Sequence, residues 1–252
     1  MDEQSASPET LPPPSSFISR ASNVFASPGE VFSELAVQPV QTTSWLIPLI
    51  LMMVMMVGTS AFLLTNDTLR NQVLEKQHEA VQKMVDQGKL TQEQADKQLE
   101  MMEGSKLVLI FGSITTFGMS IVVFFAVPLV VWLAGMMLMQ YHGGYFKIVE
   151  MFGLTVPIGF LGGIVTVFLM NIFMTMYASP SGWLLIMQSY DPKNFLHNIL
   201  SAINIFTLWQ VALLGLGLSK LSGKSTGTGM GVAFGLWAVV VLVIVGISSA
   251  FR

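Results

Sequence analysis

Four consecutive residues come nearest to recognisable chemistry. Gly223-Lys224-Ser225-Thr226 reproduces the end of a phosphate-binding loop, in which backbone amides and a lysine hold phosphate oxygens. That loop needs a glycine five residues before its second glycine, and position 218 is leucine. The tetrapeptide also lies between two apolar stretches rather than between a strand and a helix, so no nucleotide is expected. A second constellation is His197, Ser201 and Asn204, at i, i+4 and i+7 on one helical face, with Asn198, Thr207 and Gln210 nearby. Such groups hydrogen-bond neighbouring helices or line a polar path. His197 has no second ligand or carboxylate at a useful spacing, so neither a metal site nor a proton relay is expected. With no cysteine, the chain holds no disulfide, thiolate zinc site, iron-sulfur cluster or cysteine nucleophile. It contains no His-Glu-x-x-His and no paired intramembrane aspartates. The expectation is a protein that is not an enzyme and takes no cofactor.

The elements that must position these residues follow from composition. Of 252 residues, 52% are hydrophobic and 11% charged, with a mean hydropathy of +0.65. Soluble domains carry about 25% charged residues. The excess apolar surface needs a solvent other than water, and the net charge of -3 offers no field for nucleic acid. The predicted class is all-α, a polytopic membrane protein with a five-helix transmembrane bundle and an extramembrane helical hairpin.

The spans are expected at about 44–64, 107–139, 151–177, 195–218 and 229–251, each long enough to cross about 30 Å of hydrocarbon. The second is overlong and contains Pro128; a tilt or kink accounts for it more simply than two crossings, because no polar break could hold a turn. Apart from His197, these segments hold no ionisable side chain. Gly159 and Gly163 in the third span, and Gly227, Gly231 and Gly235 at intervals of four running into the fifth, predict small-residue faces for close helix packing. Residues 1–16, rich in Ser, Pro, Glu and Thr, predict a disordered tail. Residues 17–43 predict an interfacial amphipathic segment, in which Ser27-Pro28-Gly29-Glu30 has the order of a capping box. No cleavable signal is expected from a start as polar as Met1-Asp2-Glu3. Residues 65–106 are densely charged and helix-forming; Gly88 offers a stop and Thr91-Gln92-Glu93-Gln94 a restart, so this inserted stretch predicts a soluble helical hairpin.

Three ordered segments carry a family resemblance. Phe25-Ala26-Ser27-Pro28-Gly29-Glu30-Val31-Phe32 precedes the first span; Phe146-Lys147-Ile148-Val149 leads to Pro157; Asn204-Ile205-Phe206-Thr207-Leu208-Trp209 runs on to Gly215-Leu216-Gly217. Together, over about residues 17–250, they resemble bacterial members of the Yip (Ypt-interacting protein) domain family. The resemblance implies a five-helix bundle with a cytosolic N-terminus. Eukaryotic relatives are linked to Rab-type small GTPases and to traffic between endoplasmic reticulum and Golgi, a role not carried over here. Where relatives often have aspartate this chain has Asn204, and the hairpin looks like an insertion beyond the family core.

Charge placement bears on orientation. Arg20, Lys147, Lys220 and Lys224 lie on the N-terminal side, against Arg70, Lys76, Lys83, Lys89, Lys97, Lys106, Lys193 and Arg252 on the other. A plain positive-inside count puts the hairpin in the cytoplasm, whereas the family pattern puts it outside. Lys220 and Lys224 stand unopposed in a very short loop while the hairpin bases alternate with acids, so the expectation follows the family: an N-terminus in the cytoplasm, in a bacterial inner membrane. The expected role is a scaffold or accessory subunit, with the lipid bilayer, other membrane proteins or a second copy as partners. The alternative is a small permease or lipid-handling component beside an exporter, with His197, Ser201 and Asn204 lining a path.

Overall fold

In the computed structural model, which describes residues 14–104 and 106–250, regular structure among the described residues is helical, apart from an isolated bridge between Ser181 and Asn204. The helices are α1 (Phe17–Ala26), α2 (Pro28–Val37), α3 (Thr43–Thr65), α4 (Asp67–Asp86), α5 (Gln92–Gly104), α6 (Lys106–Met139), α7 (Tyr145–Phe173), α8 (Trp183–Ile186), α9 (Phe195–Ala202), α10 (Ile205–Ser222) and α11 (Thr226–Ala250). Five of them, α3, α6, α7, α10 and α11, are long and apolar enough to cross a membrane. Most of the predicted tail, residues 1–13, lies outside the described residues.

These five helices bury little and expose much. Val54, Val122, Phe168 and Ile244 are each about 60% exposed, an apolar outer surface far larger than water tolerates. The core lies towards one end. There Val24 of α1 and Phe32 and Leu35 of α2 join Phe124 of α6, Ile148, Met151 and Leu154 of α7 and Leu218 of α10, all fully buried. The N-terminal segment is therefore two helices packed into the end of the bundle. Ser27 separates them by serving both: its amide donates to Asn23 O at 2.7 Å and its carbonyl accepts from Glu30 N at 3.1 Å. Pro28 opens α2 as expected, but the Ser27 hydroxyl caps nothing and the predicted capping box is not made.

Three prolines sit inside spans, and each leaves a carbonyl without its helical donor. Pro48 does this to Ser44, and Gly153 of α7 lies against that carbonyl, where a Cβ would clash with it. Next to Pro128, the Tyr145 hydroxyl donates to Phe125 O at 2.7 Å. Close to Pro157, Gln210 Nε2 of α10 donates to Thr155 O at 3.1 Å. The neighbouring helix thus supplies contacts at the loosened turns, as lipid could not. α6 remains one helix through Pro128, so the long second span is a single crossing.

Two spans begin elsewhere than the sequence suggests. The third starts at Tyr145 and includes Lys147 and Glu150 in its first turns; it ends at Phe173, where Met174 turns left-handed (φ 50°). The predicted fourth span is two helices. α9 stops at Ala202, and Asn204, extended at φ -99°, accepts from Phe206 N at 2.9 Å and Thr207 N at 3.4 Å to start α10. An asparagine cap outcompetes continuation of the helix because its carbonyl oxygen satisfies two otherwise unpaired amides.

The inserted hairpin is α4 and α5. Gly88 turns at φ +69°, and Thr91 and Gln94 make the reciprocal pair, Gln94 N to Thr91 Oγ1 at 3.2 Å and Thr91 N to Gln94 Oε1 at 3.0 Å.

Candidate functional site

A compact set of charges sits where the N-terminal helices meet the bundle. Arg20 of α1 is 1% exposed and reaches three elements. Its NH2 lies 2.9 Å from Glu34 Oε1 of α2, its NH1 3.1 Å from Glu150 Oε1 of α7 and 3.3 Å from Ser44 Oγ of α3. Glu150, fully buried, also accepts from Lys147 Nζ at 2.8 Å and from Gln41 N at 3.2 Å. Lys147 donates onward to Gln38 O at 2.9 Å. Glu34 is held by Ser15, whose amide and hydroxyl lie at 2.9 and 3.0 Å. Burial raises the Glu34 pKa, but the Ser15 bonds and the Arg20 guanidinium outweigh it and hold the carboxyl below its ordinary value.

Two cations and two carboxylates make the cluster neutral, and every charged end is hydrogen-bonded. Such a saturated set neither moves protons nor binds an ion readily; it fixes geometry. It joins α1, α2, the α2–α3 connection, α3 and α7. The cluster is not visible from hydropathy, which places Lys147 and Glu150 before the third span; its one signal in the sequence is the pair of charged residues just ahead of an apolar run.

The predicted polar face of the fourth span does not form. His197 and Ser201 belong to α9 and Asn204 to the break after it. His197 Nδ1 accepts from Asp191 N at 3.0 Å, Ser201 Oγ donates to His197 O at 2.9 Å, and Asn204 is spent as a cap. The three side chains organise a loop instead of lining a path. In that loop Tyr190 stacks on His197, with centroids 6.2 Å apart, and donates to Asn198 Oδ1 at 3.2 Å.

The hairpin is tied to the same end of the bundle. Gln72 of α4 donates through Nε2 to Met174 O at 2.8 Å, and its Oε1 accepts from Met176 N at 3.0 Å. Lys76 pairs with Glu79 at 3.2 Å; burial lowers its pKa, but bonds to Glu79 and Tyr177 outweigh that and raise it. Further out, Lys97 and Glu93 pair at 2.7 Å while remaining 69% and 78% exposed, a solvated face with little energetic weight.

The packing glycines are partly as expected. A Cβ on Gly159 would press on Gln210 (2.8 Å), and one on Gly163 on Met55 (2.7 Å). Gly231 and Gly235 face open space, and Gly227 has nothing nearer than Ser225 of its own segment. The close approach in α11 is at Gly229, against Gly215 and Ser219 of α10. Two residues round a helix is more than half a turn, so the predicted stripe points away from this contact.

Between α3, α6, α7, α10 and α11 lies a cavity of about 570 Å³, lined by apolar side chains together with Thr207 and Gln210.

Five apolar spans, a neutral clamp over the N-terminal helices and a charged projecting hairpin define an α-helical multi-pass membrane protein. The Yip1 domain model matches residues 22–247, and the chain belongs to that family. Neither the curated proteins nor the solved structures contain a match.

Proposed function

We propose that this protein is a non-enzymatic scaffold or accessory subunit of a complex in the bacterial inner membrane, with its N-terminus cytoplasmic and the α4–α5 hairpin as the element that meets the partner. The observation that carries this reading is the distribution of charge. Within the bundle, Arg20, Glu34, Lys147 and Glu150 satisfy one another, whereas the hairpin projects alternating acids and bases into water. Gln72 holds the base of the hairpin on the loop after α7, so a partner meets a positioned surface. Deleting residues 66–105 in the full-length protein tests it, with cross-linking in native membranes and purification in mild detergent. The expected result is a folded bundle that has lost its neighbours; an unchanged set of neighbours overturns the role of the hairpin.

A second reading, a lipid-handling or permease component, draws on the cavity among the spans. Its polar groups are Thr207 and Gln210, so Gln210→Leu is the informative change. Unaltered flux in reconstituted vesicles counts against that reading.

A further inference from the structure

The cavity lies near the mid-length of the spans. Each contributing helix lines it from near its middle: Met52 within Thr43–Thr65, Val127 within Ile114–Met139, Phe160 within Tyr145–Phe173, Trp237 within Thr226–Ser248. α10 adds Val211, Thr207 and Gln210, and the Gln210 amide nitrogen is already engaged by Thr155 O. Val130 of α6 and Val240 of α11 line the cavity and are also 44% and 43% exposed, which places its mouth at the seam between those two helices, open sideways. α6 and α11 touch sparsely.

We propose that this cavity holds one acyl chain of a membrane phospholipid, which enters between α6 and α11. The volume of about 570 Å³ lies within the usual range of about 300–1,000 Å³ for small-molecule pockets. Water gains nothing there, because a water molecule needs two or more polar partners and the wall is almost wholly apolar. Left empty, the wall loses its dispersion contacts on one side. The liquid at the mouth is hydrocarbon, so a chain moves in without desolvation. Met52, Met55 and Met56 give one wall flexible thioether side chains that follow the shape of such a guest. The inference is independent of the scaffold reading and survives its failure.

The test uses the full chain reconstituted in vesicles of phosphatidylcholine bearing a diazirine at mid-chain. After illumination, adducts are mapped by mass spectrometry. Phe152, Val156 and Val211 are at most 8% exposed, out of reach of lipid on the outer surface. The expected result is labelling at these inner positions as well as at outward-facing Val243 and Leu129. Ala233→Phe, which projects a ring from the α11 wall, lowers inner labelling several-fold and leaves outer labelling unchanged; Val127→Phe does the same from α6 if the first variant fails to fold. Outer adducts with a bare inner wall overturn the proposal, as does inner labelling that neither variant reduces. Native mass spectrometry of the detergent-purified protein adds a second arm. A retained phospholipid supports the acyl-chain assignment, and a retained isoprenoid in its place overturns it.

Discussion

Arg20 and Glu150 stand 130 positions apart, and their 3.1 Å contact closes the largest loop of chain in the charge cluster. Neither has a water-exposed route to satisfaction, at 1% and 0% exposure. Arg20→Ala leaves Glu150 with one cation and Glu34 with none, so the variant should lose about 3–5 kcal/mol of stability, the usual cost of stranding a buried charge. Thermal unfolding in detergent reads this directly. Replacing Arg20 and Glu150 together with methionine should recover the part of the loss that comes from the Glu150 charge, and no recovery would mean that the loss comes from Glu34 and from packing instead. Glu34 adds a pH dependence. Its folded pKa lies below the ordinary 4.5, so its contribution is fully present above 4.5 and is lost as pH falls through the lower folded value. Protection of the α1 amides against hydrogen exchange, taken relative to the intrinsic rate at each pH, should therefore fall below pH 4.5, and protection that stays constant through that window would remove Glu34 from the fastening. None of this was legible in the sequence beyond the presence of the charges. Hydropathy stops the third span at Met151 because Lys147 and Glu150 look too polar to enter it. The distant Arg20, together with the Lys147–Glu150 pair and the backbone groups of Gln38 and Gln41, makes their inclusion tolerable.

The helices themselves were more legible. Long apolar runs defined α3, α6 and α11 closely, and glycine and threonine marked the hairpin turn, because these signals are local. The break between α9 and α10 was missed, since Ile203 and Asn204 sit in a stretch apolar enough to continue and an asparagine cap leaves hydropathy unchanged. The glycine stripe misled for a related reason. Spacing by four reveals a shared face but not what that face meets. Gly229→Leu should separate α10 from α11, because its Cβ would meet the Gly215 carbonyl and the Ser219 Cβ at 2.8 Å. Overpacking of this kind costs about 1–3 kcal/mol, and rigid backbone on the far side argues for the upper end. Gly231→Ala, with nothing within 4 Å, should instead gain about 0.5–1 kcal/mol by removing a flexible residue from a helix interior. Unfolding curves of the two variants that moved together would refute the assignment of the contact to Gly229.

At the scale of the whole molecule the two ends of the bundle are built differently. One end is closed by α1 and α2 packed over α7 and α10 and pinned by the Arg20 cluster; the other carries the hairpin and the loop from Met174 to Asn204. This asymmetry was only half visible in advance, as charge counts that point one way and a family pattern that points the other. The closed end hides Arg20 and Lys147 in ion pairs, which leaves Lys220 and Lys224 as the bases available near the headgroups on that side. Lys224 spends its ammonium on a neutral partner, Gln140 Oε1, at 2.9 Å, so its charge is not cancelled. Hairpin bases such as Lys76 and Lys97 are paired with acids. Acids weigh little in the positive-inside rule, and the short α10–α11 loop keeps Lys220 and Lys224 beside two span ends, whereas Lys76 and Lys83 stand successively farther along α4 from the end of α3. The absence of native cysteine makes the question directly measurable, since any introduced thiol reports one place. Glu93→Cys in the hairpin should react with a membrane-impermeant maleimide in sealed right-side-out vesicles. Gly144→Cys, in the α6–α7 turn at the closed end, should react only after permeabilisation. The opposite pattern would place the hairpin in the cytoplasm and move any soluble partner to that side.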